Sequence, residues 1–197
     1  MKTVDFYFDI GSPAAYLAWT QMPKLAADTG ATVNPIPFLL GGVFKATGNA
    51  SPVTIPAKGK WLTGDLALWA QQYGLAPLKM PPVFPVNTLP FMRAAVAMQM
   101  KEPGRFAPLV DALYGGMFRD GLNMTDLAIV GGVLAKAGFD PMAVMALTNE
   151  PEVKAKLIAN TEVAVRRGAF GAPTFFVGEQ LFWGQDRLSF VKAALGS

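Results

Sequence analysis

The short run Gly11-Ser12-Pro13 holds the residues of this chain whose types and spacing most readily suggest chemistry. Before it, Phe6-Tyr7-Phe8-Asp9-Ile10 is an apolar, aromatic stretch of strand type, and after it Ala14, Ala15, Tyr16, Leu17 and Trp19 begin a helical pattern. The first N–H groups of a helix have no internal acceptor and sit at the positive end of its macrodipole, so a phosphate, carboxylate or thiolate placed there is stabilised. Ser12 adds a hydroxyl donor at that point. Serine followed by proline is also an ordinary way to start a helix, with Ser12 as the N-cap and Pro13 at the first helical position. These residues alone leave both readings open.

Two absences narrow the chemistry. The chain has no Cys, which excludes a disulfide, a protein thiolate, a CxxC redox pair and a thiolate metal site. It has no His either, so a Ser-His-Asp triad and an imidazole-ligated zinc are excluded. An enzyme built from this sequence works through Ser, Lys, Tyr or carboxylates, or through a cofactor that brings the reactive atom.

The elements that must position Ser12 can be read in order. Residues 3–10 predict a strand, and the helix opened at Ser12 runs to about residue 28, closed by Gly30 and kinked or divided by Pro23. Residues 31–39 predict a second strand, placed at a sheet edge because Pro35 and Pro37 lack ladder donors. The two strands and their helix form a βαβ unit. Residues 41–60 read as a polar, small-residue loop. A helix from Leu62 to Tyr73 and an extended segment with Pro77, Pro81, Pro82 and Pro85 follow. Asn87 or Thr88 then caps a helix reaching Met100, and helical patterns continue over 106–118, 125–137, 141–147 and 151–167. Met92, Met98, Met100, Met142 and Met145 read as core or interface packing. The end returns to strands: residues 172–177, a Gly178-Glu179 turn, residues 180–182, and a helix opened by Asp186.

Composition sets the bounds on class. In 197 residues, 52% are apolar and 16% charged, below the roughly 25% charged of a typical soluble domain, so a partner is expected to cover apolar surface. A homodimer is the simplest such partner. No window reaches about 18 uninterrupted apolar residues and the start carries no apolar leader, so neither a membrane span nor export is expected and the chain reads as cytoplasmic. The net charge is +3 with Lys and Arg scattered, which argues against a nucleic-acid partner.

Six blocks carry a resemblance across essentially the whole chain. They are Phe8-Asp9-Ile10-Gly11-Ser12-Pro13, Gly41-Gly42-Val43-Phe44 with Gly48-Asn49, Lys58 with Asp65, Phe84-Pro85-Val86-Asn87-Thr88-Leu89 with Arg93, Gly171-Ala172-Pro173-Thr174-Phe175, and Phe182-Trp183-Gly184-Gln185-Asp186-Arg187-Leu188. In this order they resemble the 2-hydroxychromene-2-carboxylate isomerases, which group with the kappa-class glutathione transferases. The resemblance implies an α/β, thioredoxin-like fold whose βαβ and ββα halves form one mixed sheet, with a large all-helical insertion. Residues 1–40 and 166–197 would be the thioredoxin-like domain, and 41–165 the connecting loop and inserted helical domain. Departures from the family pattern include Trp61 where Tyr is frequent and Ala14 after Ser12-Pro13.

The same resemblance implies glutathione as cofactor and Ser12 as the catalytic residue that holds and activates its thiol. Asn49 and Lys58 would hold polar parts of the tripeptide. Ala172, before a cis Pro173, would pair its backbone with the cysteinyl unit, while Gln185 and Asp186 would take the γ-glutamyl ammonium and carboxylate. Lys45 or Arg93, with Asn87, would receive the carboxylate of a small aromatic substrate, the alternatives being solvation of Lys45 and packing of Arg93. The implied reaction is isomerisation of 2-hydroxychromene-2-carboxylate to trans-o-hydroxybenzylidenepyruvate in naphthalene-type catabolism. A kappa-like transferase or peroxidase and a non-catalytic thioredoxin-like binding protein are the alternatives.

Overall fold

The computed structural model of the chain describes residues 2–196. Its sheet has the order β2-β1-β3-β4, built from β1 (Thr3–Phe8), β2 (Thr32–Pro37), β3 (Thr174–Val177) and β4 (Gln180–Trp183). The β1–β2 pair is parallel, and the β1–β3 and β3–β4 pairs are antiparallel. Central β1 is buried on both faces, with Val4, Phe6, Tyr7 and Phe8 all out of solvent, which explains its continuous apolar run. β2 occupies an edge, as its two prolines require.

Between β1 and β2 runs α1 (Pro13–Thr29), ended by Gly30 in the left-handed conformation at φ 66°. Pro23 does not divide it. Pro23 is exposed, and on a solvent face the carbonyl left without a partner four residues back can be satisfied by water. The inserted helices are α2 (Leu40–Thr47), α3 (Pro56–Gln72), α4 (Leu89–Lys101), α5 (Pro103–Tyr114), α6 (Leu127–Lys136), α7 (Pro141–Leu147) and α8 (Pro151–Arg166). A π-helical turn at Gly115–Arg119 continues α5, and α9 (Leu188–Gly196) ends the fold. The fold is therefore a thioredoxin-like α/β sheet carrying a large helical insertion. One continuous apolar core links Phe6, Phe8 and Phe175 of the sheet to Met98, Leu109 and Leu113 of the insertion.

Several expectations need correction. The stretch 41–60 is not a loop: it holds α2, a single 3-10 turn at Pro52–Thr54 and the first turn of α3, which begins six residues before Leu62. Helix α2 has no side-chain cap of its own from Leu39. Distant residues start it instead, since Thr161 Oγ1 accepts from Leu39 N–H at 2.9 Å and Asp9 Oδ2 from Leu40 N–H at 2.8 Å. Asp186 lies in a 3-10 turn, Gln185–Arg187, ahead of the final helix rather than at its start. Met92 and Met98 are core residues, whereas Met100, Met142 and Met145 are exposed. The Phe84–Pro85 bond is cis, which the sequence reading did not foresee, whereas Ala172–Pro173 is cis as the resemblance implied.

Asp9 organises the turn after β1. Fully buried, its Oδ1 accepts from Gly11 N–H at 2.8 Å while Oδ2 holds the start of α2, and Thr88 hydrogen-bonds the same carboxylate from the start of α4. The Tyr114 hydroxyl, also buried, donates to the Asp9 backbone carbonyl at 3.1 Å. Gly11 has no room for a side chain, because a Cβ there would stand 2.9 Å from Thr88 Cγ2.

Replacing Asp9 by Ala orphans two N–H groups and a hydroxyl and is expected to cost roughly 3 to 5 kcal/mol in urea denaturation. Burial pushes the Asp9 carboxyl up from 3.8, outweighing the hydrogen bonds that pull it down. A raised folded pKa means that its contribution to stability is full below 3.8 and is lost as pH rises through the folded value. Unfolding free energy measured against Asp9→Asn on both sides of pH 3.8 is therefore expected to fall with rising pH in the unmodified chain.

Candidate active site

Ser12 is 5% exposed and is the N-cap of α1. Its Oγ accepts from Ala15 N–H at 3.1 Å and donates to the Ala172 carbonyl at 3.0 Å. The two readings open in the sequence thus coincide: the hydroxyl caps the helix and also bridges to the loop before Pro173. Tyr16 N–H is taken by the Ser12 carbonyl at 3.0 Å and Pro13 has no N–H. Among the described residues, that leaves Ala14 N–H as the first-turn donor with no acceptor, beside the Ser12 hydroxyl and at the positive end of the helix.

The loop that receives Ser12 is tied from two directions. Asn49 Nδ2 donates to the Phe170 carbonyl at 2.8 Å, and its Oδ1 accepts from Ala50 N–H. Trp183 packs across Gly171, where any side chain would collide with its indole, and stacks on Phe170 with ring centroids 5.0 Å apart. Asn49 is therefore joined to the Ser12–Ala172 bridge through the segment 170–172.

On the other side, α3 and the turn after β4 form an acidic corner. The Tyr73 hydroxyl donates to the Gln185 carbonyl at 2.5 Å, and Gln185 itself is buried. Gly184 stands at φ 108°, and a Cβ there would collide with the Asp186 carboxylate, so glycine is required on both counts. Asp186 pairs with Arg187 at 3.4 Å across a half-exposed surface. Burial, and then the Asp186 charge, raises the Asp65 carboxyl; the same two causes push the Tyr73 hydroxyl up to about 12. Two carboxylates held near each other in this way suit a ligand ammonium.

The structure thus gathers Ser12, Ala172, Pro173 and Asn49 around one loop, and Gln185 and Asp186 at the turn that packs on the same helix α1. Lys58 is exposed in the first turn of α3. The expected substrate residues are not drawn together. Lys45 is exposed on α2, Asn87 Oδ1 accepts from Leu89 N–H at 3.1 Å, and Arg93 lines a groove beside α8, with no hydrogen bond or ion pair joining the three among the described residues. Asp9 and Tyr73 escaped the sequence reading as site residues, and Asp65 stood in a recognised block without a role. The one local signal for Asp9 is a carboxylate inside an apolar strand run, just before a glycine.

Comparison with known proteins agrees with this arrangement. The DSBA-like thioredoxin domain family matches residues 3–196. A 2-hydroxychromene-2-carboxylate isomerase of Sphingobium xenophagum is 31% identical over 196 residues, covering 98% of each chain. Glutathione S-transferase kappa 1 of Caenorhabditis elegans is 28% identical, covering 97% of this chain and 89% of its own. A solved 2-hydroxychromene-2-carboxylate isomerase structure superposes with a TM-score of 0.80 at 31% identity, covering 98% of this chain and 94% of that one. The chain accordingly belongs to the DSBA-like thioredoxin domain family, and within it to the group formed by the 2-hydroxychromene-2-carboxylate isomerases and the kappa-class glutathione transferases.

Proposed function

We propose that this chain is a glutathione-dependent isomerase that converts 2-hydroxychromene-2-carboxylate to trans-o-hydroxybenzylidenepyruvate. The observation that carries the reading is Ser12, buried at the start of α1 and bridged to Ala172, in a chain without a thiol of its own. The residues present fit glutathione: an unpaired first-turn amide and a hydroxyl would hold its sulfur, and the acidic corner would hold its ammonium. Bound glutathione supplies a sulfur nucleophile whose reversible addition to a conjugated alkene turns a double bond into one that rotates.

The protein's part is to bind, orient and hold protons. Ser12 Oγ must leave the Ala172 carbonyl to donate to the sulfur, exchanging one hydrogen bond for another at little net cost. That exchange releases the Ala172 carbonyl to pair with the cysteinyl backbone beside Pro173, as an added strand would. The end of α1 stabilises the negative charge and so draws the thiol pKa down from about 8.5. Asp186, with Asp65 behind it, receives the ammonium. Gln185, Asn49 and Lys58 hold the remaining polar groups. A cytoplasmic location, where glutathione is held in its reduced form, suits this chemistry.

The exposed face of α3 suits a second copy of the chain. Trp61 and Leu68, seven residues apart, are 68% and 66% exposed, and Ile55 just before the helix is 47% exposed. We assign a homodimer contact to this face. Light scattering is expected to give twice the chain mass, and Trp61→Glu with Leu68→Glu to give a monomer; a monomeric unmodified chain at micromolar concentration rejects the dimer.

Spectral monitoring of 2-hydroxychromene-2-carboxylate with and without glutathione tests the activity directly. Turnover only with glutathione supports the isomerase, whereas conjugation of electrophiles without isomerisation points to kappa-like transferase chemistry. Ser12→Ala is expected to lower turnover about a hundredfold or more with the circular dichroism spectrum unchanged. Full activity in that variant would reduce Ser12 to a cap. By calorimetry, Asp186→Asn is expected to weaken glutathione binding about tenfold. Because Asp65 is raised above 3.8 and must be ionised to attract an ammonium, affinity is expected to increase as pH rises through its pKa, with an earlier onset in Asp186→Asn.

A further inference from the structure

Helix α3 and its C-cap present Asp65, Trp69 and Tyr73 at i, i+4 and i+8, a row of side chains that leads to the turn at Gln185–Arg187. The neighbouring row, Leu66 and Ala70, packs on Leu17 of α1, so α3 is seated against the helix that Ser12 opens. The polar tips beyond Asp65 are both engaged. The Trp69 indole N–H hydrogen-bonds the Asp65 carboxylate one turn earlier. The Tyr73 hydroxyl donates to the backbone carbonyl of buried Gln185, directly ahead of Asp186. The two rings lie against each other with centroids 5.4 Å apart, so each restricts the rotamers of its neighbour.

Both donors are neutral, and that is the property a cation site needs. Burial, and after it repulsion from Asp186, raises the Asp65 carboxyl, so the two acids stay together only because the segments that carry them are held. A lysine or arginine in place of Trp69 or Tyr73 could hold them as firmly, but it would cancel their charge and take the position of a ligand's cation. An indole N–H stays uncharged. Burial and the Asp186 charge push the Tyr73 hydroxyl up to about 12, so it too keeps its proton at neutral pH. Among the described residues no Lys or Arg is ion-paired to Asp65. Asp186 has Arg187 at 3.4 Å, a half-exposed side chain whose guanidinium also lies 5.9 Å from the centre of the Phe190 ring.

We propose that Trp69 and Tyr73 are positioning residues that make the corner selective for the amino group of glutathione, by fixing two carboxylates at one spacing without neutralising either. The inference rests on the glutathione reading of the Ser12 site and adds to it two residues that touch no reacting atom. Tyr73 sets Asp186 through the Gln185 carbonyl, and Trp69 sets Asp65 directly. An ammonium between the two acids gains from both, whereas a thiol tripeptide without that group meets two repelling carboxylates and brings no counter-charge. Discrimination between such ligands therefore depends on the aromatic pair, while the grip on the rest of the tripeptide does not.

The test is calorimetric titration of the full chain with glutathione and with glutaryl-cysteinylglycine, the same tripeptide without its amino group. Tyr73→Phe, which keeps the ring and loses the hydroxyl, is expected to weaken glutathione binding about tenfold and to leave the analogue within about twofold. Trp69→Phe is expected to weaken glutathione about threefold, again sparing the analogue. With Asp186→Asn already in place, Tyr73→Phe is expected to add less than about twofold, because its effect runs through Asp186. An equal loss for both ligands, additive losses in the double variant, or unchanged glutathione affinity in Tyr73→Phe overturns the positioning role and leaves the glutathione reading standing. No binding of glutathione by the unmodified chain overturns that reading and this inference with it.

Discussion

The carboxylate of Asp9 is the constraint on which the rest of the site depends. It is wholly out of solvent and receives hydrogen bonds from the turn before α1, the start of α2 and the start of α4. Those three points are separated in sequence by some thirty to eighty residues, and each lies close in sequence to a residue proposed for the site: Ser12, Asn49 and Asn87. A buried polar group is tolerated only when its hydrogen bonds are made, so the geometry that satisfies Asp9 leaves little freedom in how these segments meet. The Tyr114 hydroxyl on the Asp9 carbonyl extends the same arrangement into the inserted helices, where Tyr114 packs with Tyr16 and Phe118.

Ser12 shows how one side chain can cap a helix and tie a distant loop at the same time. Its oxygen accepts from the helix it caps while its proton is lent to the Ala172 carbonyl, so no donor is wasted in the free protein. The accepting role can persist when the proton is redirected. The acidic corner follows a similar logic, since Tyr73 and the collision-free backbone at Gly184 fix Asp186 before any ammonium arrives. Preorganisation of this kind reduces what a ligand must spend on ordering the protein.

Much of the fold was legible in the sequence because it rests on local rules. The apolar run of β1, the Ser12-Pro13 helix start, the Gly30 stop, the edge placement of β2 from its prolines and the hairpin at Gly178-Glu179 all follow from periodicity and backbone preferences that need no partner. The absence of Cys and His likewise decided, without coordinates, that any thiol chemistry must come from a bound molecule. The blocks around Ser12, Asn49 and Pro173 meet at one loop in the structure, and the turn holding Asp186 packs on the same helix α1.

What tertiary structure alone decided concerns groups whose partners lie far away along the chain. Gly41-Gly42 reads as loop because glycine disfavours helix, and it becomes the first turn of α2 only because Thr161 and Asp9 satisfy the N–H groups that Leu39 cannot cap. Arg93 looked equivalent to Lys45 as a carboxylate receptor, yet the packing of α4 on α8 turns it into a separate groove. Asp65 acquires its raised pKa from burial and from a residue 121 positions later, a pairing that no local pattern encodes. Residue type and local spacing therefore determined which chemistry this chain can support, whereas long-range hydrogen bonding and burial decided which residues meet to perform it.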